Sequence, residues 1–165
     1  AQGDALTRSL LESLDGLVAM RQREGAALEK DMVRRLAGLR RHVEAVSKRA
    51  PLLVKRYRKA LLARIKEADV ELSRDDPALI KELALHAERS DISEELVRLD
   101  SHLAQFDKLV HATKPVGRTM DFLCQEMLRE INTIGSKASD TVVSRHVVRF
   151  KAELEAVREQ VQNVE

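Results

Sequence analysis

The chain has 165 residues, of which 44% are hydrophobic, 34% charged and 2% aromatic, with a net charge of +2. So few aromatic residues, with six glycines and three prolines, exclude a β-sandwich or barrel and favour an all-α fold. The single cysteine, Cys124, excludes an internal disulfide and a cysteine-rich zinc module, and no apolar run approaches the roughly 20 residues of a membrane span.

The first half of the chain predicts long helices. Apolar residues keep one helical stripe over residues 5–47, which indicates one very long helix or two collinear helices, ended by Pro51. A second helix is expected at about 52–69. Ser73–Pro77 then interrupts the pattern, because Asp76 is a capping residue and Pro77 suits a first helical turn.

The second half predicts three further helical segments. The segment at about 77–111 changes its apolar side at Glu88–Asp91, so the helix either lies between two partners or bends there. Another helix is expected at about 118–134, with Gly135 as its C-cap. The last helix has a regular heptad stripe whose partner is either the first helix or another copy of the chain: Val143, Val147, Phe150, Leu154, Val157, Val161 and Val164.

These elements predict long amphipathic helices packed as an extended bundle or as helical hairpins, with a coiled-coil-like C-terminal helix. We expect a basic helical hairpin over residues 1–72 and a helical domain over 73–165, or one continuous helical domain.

Charge is strongly segregated along the chain. Residues 34–66 contain 12 Lys and Arg against the single acid Glu44, whereas residues 67–100 contain 11 acids and 4 basic residues. A basic block within an apolar periodicity indicates a folded surface that binds a polyanion. The alternative is a solvated face whose charge the acidic segment balances.

Two polar stripes could hold a divalent cation. Asp91, Glu95, Arg98 and His102 are spaced 4, 3 and 4 residues apart, so they share one helical line. The same spacing also gives ordinary surface ion pairs.

The second stripe belongs to the helix expected at about 118–134. Glu126 and Glu130 form an i,i+4 carboxylate pair, which is mildly repulsive unless a cation lies between them. Phe122 lies in the middle of this polar face, which suggests that a partner or a ligand covers the face. The alternative is a Phe tucked under a loop, since a single exposed Phe is not rare. Cys124 lies on the core face, as a small buried apolar residue would.

Four strings of the sequence resemble the C-terminal region of the bacterial YicC/YloC family. They are AERSDISEELVRLDSHLAQF (87–106), PVGRTMDFLCQEMLREINTIGSKASD (115–140), REQVQNVE (158–165) and the earlier REGAALEKDM (23–32). The resemblance implies a manganese-assisted, metal-dependent endoribonuclease that is cytoplasmic and forms a hexameric ring. Family members also carry an N-terminal α/β domain with an SMTGF-like motif. Its absence, and the missing initiator Met, lead us to expect a C-terminal portion or a processed product.

The resemblance and the polar stripes together predict one site. The expected metal ligands are Asp91, Glu95, His102, Glu126 and Glu130, and hard oxygen ligands with one imidazole suit Mn²⁺ or Mg²⁺. The expected catalytic residues are His102, Glu126, Glu130 and Arg129, with His102 as either a ligand or an acid/base. RNA would contact Arg34, Arg35, Arg40, Arg41, Lys48, Arg49, Lys55, Arg56, Arg58 and Lys59, together with Arg118 and Lys137. The alternatives are a non-catalytic RNA-binding adaptor and a helical oligomerisation element.

Overall fold

The computed structural model describes residues 2–68, 73 and 76–164, and within them all regular structure is helical, as predicted. A short 3₁₀ turn, Ala50–Leu52, separates the first two helices. The α-helices are α1 (Gln2–Arg49), α2 (Leu53–Glu67), α3 (Pro77–Arg89), α4 (Ser93–Val110), α5 (Gly117–Lys137) and α6 (Thr141–Val161).

The first helix is a single element of 48 residues, about 72 Å long at 1.5 Å per residue. Its C-terminal half supplies buried core residues from Met32 to Val46. Its N-terminal half carries an apolar stripe that no described residue covers, and Leu6 and Leu10 are 77% and 60% exposed. The helix is therefore continuous, but only its second half contributes to the core.

Four helices surround the core. Helix α1 packs on α4 and α6, and α5 packs on the same two helices, so α1 and α5 lie diagonally across the bundle. The heptad stripe of α6 faces inwards, and Val143, Phe150 and Val157 are completely buried. The sequence left two partners for this stripe, the first helix or another copy of the chain. In the structure α6 packs against α1 on one side and α5 on the other.

Helix boundaries differ from the expected ones at two places. The segment expected at 77–111 is broken into α3 and α4 at Ser90–Ile92. This break explains why the apolar residues change sides within the segment. Gly135 is not a C-cap, because α5 continues to Lys137. A Cβ at Gly135 would lie 3.2 Å from Val147 Cγ1, so the glycine allows α5 and α6 to approach closely.

Caps and turns follow the local sequence. Asp76 caps α3, its side chain accepting a hydrogen bond from the backbone N–H of Ala78, with Pro77 in the first turn as predicted. Helices α2 and α3 pack against one another, and the Tyr57 and His86 rings stack with centroids 3.5 Å apart. The expected domain boundary falls at Leu72, which lies outside the described residues. None of the described helices is long and apolar enough to cross a membrane.

Candidate functional site between α4 and α5

The two predicted polar stripes meet along one groove. Helices α4 and α5 are joined by a short loop and pack side by side. At spacings of three and four residues, Glu95, Arg98 and His102 lie on the side of α4 towards α5. Glu126 and Glu130 lie opposite them on α5. We call these five residues, with Glu94, Arg129 and Lys137, the α4–α5 cluster.

Glu130 lies at the centre of the cluster, and its side chain is only 2% exposed. Arg98 Nε is 2.9 Å from Glu130 Oε1, a charge contact that lacks hydrogen-bond geometry. Arg129 Nη2 donates to the same oxygen at 3.2 Å and also contacts Glu126 Oε2 at 2.9 Å. The close contact with the Glu130 carboxylate raises the pKa of Arg98 above its ordinary value.

Glu95 is the second buried carboxylate. Lys137 Nζ donates to Glu95 Oε1 at 2.9 Å across the groove, and Arg98 Nη2 lies 3.4 Å from the same oxygen. Arg98 also pairs with Glu94 on its own helix. The second oxygen of Glu95, Oε2, is buried and has no hydrogen-bond partner within the described part of the chain. The carboxylates therefore make the ion pairs that the sequence alternative anticipated, but they are not fully satisfied.

His102 has no hydrogen-bond partner among the described residues. Both of its ring nitrogen atoms are buried without a hydrogen-bond partner in the described residues. A buried polar atom without a partner costs about 1–3 kcal/mol and calls for a water, an ion or a ligand. One ring nitrogen of His102 and one oxygen each of Glu126 and Glu130 lie within 4.8 Å of one another. This donor set, one imidazole and two carboxylates, fits a divalent ion such as Mn²⁺ or Mg²⁺.

Asp91 lies apart from this grouping. Its Oδ1 accepts a hydrogen bond from the backbone N–H of Ser93 at 2.9 Å, at the start of α4. Bonding to Ser93 lowers the pKa of Asp91 below its ordinary value. The structure thus brings together His102, Glu126 and Glu130 of the five expected metal ligands, with Glu95 bound to Lys137 nearby.

The basic block is divided between paired and unpaired cations. Carboxylates bind six of its ten expected RNA-binding residues, and within the described part of the chain no partner comes from the acidic segment 67–100. The pairs are Arg34 and Arg35 with Asp31, Arg40 with Asp107, Lys48 with Glu44, and Arg49 and Arg56 with Asp140. Arg35 also lies 3.6 Å from Glu153.

Four cations of the block are exposed and have no carboxylate partner in the described residues. They are Arg41 on α1 and Lys55, Arg58 and Lys59 on α2. Arg118, in the first turn of α5, is likewise exposed. Arg56 ties α2 to the turn before α6, since its Nε lies 3.3 Å from Asp140 Oδ2. That turn begins directly after Lys137, so α2 starts near one end of the cluster.

One contact between titratable residues was not predicted. His42 on α1 and His146 on α6 approach with their Nδ1 atoms 3.1 Å apart. Burial, followed by the charge of His146, lowers the pKa of His42. The residues are 104 positions apart, and neither has ligand spacing of its own, so only knowledge of the α1–α6 packing could have paired them.

Cavities in the described part of the chain also lie outside the cluster. One of about 840 Å³ is lined by α1 and by the loop and first turn that lead into α5, including Leu28, Met32 and Met120. Another, of about 400 Å³, lies beside α2 and includes Tyr57 and His86. The cluster itself is a groove whose side chains are exposed to different degrees, from Glu94 at 78% to Glu130 at 2%.

Comparison with known sequences identifies the family to which the chain belongs. The sequence profile of the family described as "Endoribonuclease YicC-like, C-terminal" matches residues 46–165. The chain belongs to this family. All of the α4–α5 cluster lies within the matched part.

Two curated relatives of this YicC-like chain are each called "Probable endoribonuclease YicC". The one from Clostridioides difficile is 40% identical over 166 residues, covering 97% of this chain and 55% of the relative. The one from Haemophilus influenzae is 34% identical over 166 residues, covering 98% of this chain and 57% of the relative. The chain therefore spans a little over half the length of these relatives.

Proposed function

We propose that this chain carries the RNA-cleaving site of a metal-dependent endoribonuclease that hydrolyses phosphodiester bonds at the α4–α5 cluster. The observation that supports this most directly is His102, with both ring nitrogen atoms buried and unpartnered beside Glu126 and Glu130. The names of the relatives supply RNA as the substrate class.

The charges of the cluster favour a divalent ion. Four carboxylates, Glu94, Glu95, Glu126 and Glu130, accompany three cations, Arg98, Arg129 and Lys137, which gives these seven side chains a net charge of −1. One divalent ion would change this net charge from −1 to +1, which attracts a phosphodiester. His102, Glu126 and Glu130 would hold Mn²⁺ or Mg²⁺, which when bound polarises a phosphoryl oxygen and acidifies a water.

The protein groups have separable tasks. Arg129 is 65% exposed, so its guanidinium can turn from Glu126 to a phosphate oxygen and stabilise developing charge. Lys137 and Arg98 hold Glu95 and Glu130 in place. The His102 ring either ligates the ion or accepts and returns a proton at a ring nitrogen.

The substrate would reach the cluster along basic residues. The exposed, unpaired cations Lys55, Arg58 and Lys59 lie on α2, which starts near the Lys137 end of the groove. Phosphate contacts by such side chains give salt-dependent affinity with little sequence preference. The paired members of the block, such as Arg49, would contribute less because Asp140 already neutralises them.

We also propose that the protein works as a homo-oligomer, with the hexameric ring of its family, in the cytoplasm. The support is the apolar stripe on the first half of α1, where Leu6, Leu10, Leu14 and Leu17 are 45–77% exposed. An apolar stripe of this length on an isolated helix needs a partner. Sedimentation at micromolar concentration should give an oligomer, and Leu10→Ser with Leu14→Ser should shift it towards monomer. A parent protein that sediments as a monomer would contradict the proposal.

The test of the site combines substitution with metal control. Glu126→Gln and His102→Ala should each lower the rate of cleavage of a labelled single-stranded RNA by at least about 100-fold with Mn²⁺ present. The matched control is Glu155→Gln, an exposed carboxylate on α6 away from the cluster, which should cut at the parent rate. Circular dichroism should show the same helix content in all variants.

A second function, a non-catalytic RNA-binding adaptor, is favoured by the ion pairs of Glu95, Glu126 and Glu130. RNA binding and RNA cleavage, each measured with EDTA and with added metal, distinguish the adaptor from the endoribonuclease. If RNA is retained but never cut with Mn²⁺ or Mg²⁺, the adaptor is correct. If Glu126→Gln and His102→Ala both cut RNA at the parent rate, the assignment of the site is wrong.

A further inference from the structure

An aromatic side chain lies exposed in line with the cluster. Phe122 is 56% exposed on α5, although the described core accommodates Phe106 and Phe150 completely. Phe122 precedes Glu126 by four residues and Arg129 by seven, so the three share one line along the helix. Leaving an aromatic ring in water forgoes about 2–3 kcal/mol of burial, which favours a role outside the core.

The neighbours of Phe122 are charged. Arg118 lies one turn earlier on the same line, exposed and without a carboxylate partner in the described residues. A cation in the first turn of a helix opposes the helix dipole, so Arg118 does not serve the stability of α5. The line therefore presents a cation, an aromatic ring and then the cluster, with about 6 Å of rise between successive members.

We propose that Phe122 is a stacking platform for an unpaired base of the RNA, next to the phosphodiester that the cluster holds. This inference rests on the proposed function. A rise of about 6 Å per turn of four residues is close to the spacing of successive phosphates in an extended single strand. Arg118 contacts the phosphate of the stacked nucleotide, and Phe122 provides a face that any base can use. Charge alone cannot tell single-stranded RNA from a duplex, but a platform that needs an unstacked base can.

The charge pattern on the line also argues against a protein partner's apolar surface. Gln125 and Glu126 lie one helical turn from Phe122, so a partner covering the ring would have to desolvate these groups. A nucleotide satisfies the same surroundings, because its base is apolar on its face and its phosphate is anionic. An RNA strand is therefore the occupant that the charges favour.

The experiment measures binding of a 10-nucleotide single-stranded RNA in EDTA, where metal-dependent cutting is absent. Phe122→Leu keeps an apolar side chain without a π-face and should weaken affinity by about tenfold. This loss should not change between 50 and 300 mM salt. Arg118→Gln should instead reduce the salt dependence of binding by about one phosphate contact. Val148→Ala, at an apolar residue of α6 that is 66% exposed, is the matched control and should bind like the parent.

Phe122→Trp reports base stacking directly, because it introduces the only tryptophan of the chain. Stacking on a base should quench its fluorescence with single-stranded RNA, and an RNA abasic at one position should show where the ring stacks. Duplex RNA of the same length should leave the fluorescence unchanged.

The possible failures are distinct. If the parent binds no RNA, the proposed function falls and this inference falls with it. If the parent binds RNA but Phe122→Leu binds equally well, or the tryptophan is quenched equally by a duplex, the platform alone is refuted.

Discussion

Asp140 joins three helices through one carboxylate, and its removal gives the most quantitative test of the fold. Its Oδ1 accepts hydrogen bonds from the backbone N–H groups of Val142 and Val143, at 2.9 and 3.2 Å, and so caps α6. Oδ2 lies 3.1 Å from Arg49 Nη2 on α1 and 3.3 Å from Arg56 Nε on α2.

The magnitude follows from these contacts. Loss of an N-cap costs about 1 kcal/mol. The Arg49 pair is largely buried, with side chains 20% and 3% exposed, and contributes about 1–2 kcal/mol. Arg56 is 58% exposed, so its pair contributes at most about 0.5 kcal/mol. Asp140→Ala should therefore lower the free energy of unfolding by about 2–3.5 kcal/mol. Asp140→Asn, which keeps an acceptor for the cap, should lower it by about 1–2.5 kcal/mol.

Urea unfolding followed by circular dichroism at 222 nm measures both variants. Asp76 is the matched control, since it caps α3 with a 2.8 Å bond from Ala78 and has no Arg or Lys partner in the described residues. Asp76→Ala should cost about 1 kcal/mol and Asp76→Asn nearly nothing. Equal losses for Asp140→Ala and Asp140→Asn would show that the cap contributes nothing, and a loss below about 1 kcal/mol for Asp140→Ala would refute the reasoning.

The pH dependence provides a second check on Asp140. Burial alone would raise its pKa, but hydrogen bonds from Arg49 and from the α6 backbone outweigh burial and hold the pKa below the ordinary value of 3.8. A carboxylate with a lowered pKa contributes stability above its unfolded pKa and loses it as pH falls. The difference between the parent and Asp140→Asn should therefore shrink below about pH 4.

Two further changes probe the packing. Burial and the adjacent His146 lower the pKa of His42 from 6.5, so the unfolded state binds more protons and stability should fall as pH decreases from about 7 to 5. His42→Asn should flatten this dependence in urea titrations at several pH values, and an unchanged slope would exclude His42 as its source. Gly117→Ala should cost about 1–3 kcal/mol, because its Cβ would overlap the carbonyl oxygen of Val164. Gly16→Ala, in open space on α1, should be neutral or stabilising by up to about 1 kcal/mol, and equal thermal shifts for the two would refute the clash.

The candidate site was only partly predictable from the sequence. Spacing of three and four residues places Glu95, Arg98 and His102 on one line of a helix, and Glu126 and Glu130 on another. It does not show that the two lines face one another, nor that Arg98 reaches across to Glu130. Asp91 fits the same spacing, yet it precedes the first residue of α4 and accepts a hydrogen bond from the Ser93 N–H instead.

Local chemistry determined the helices themselves, since apolar periodicity, Asp76 with Pro77, and the heptads of α6 act within a few residues of one another. The tertiary structure decided which surfaces meet. A stripe of valine and leucine predicts that a helix face will be covered, but which helix covers it depends on how the four core helices pack. That packing put α1 against α6, brought His42 to His146, and gave His102 two carboxylates but no hydrogen bond among the described residues.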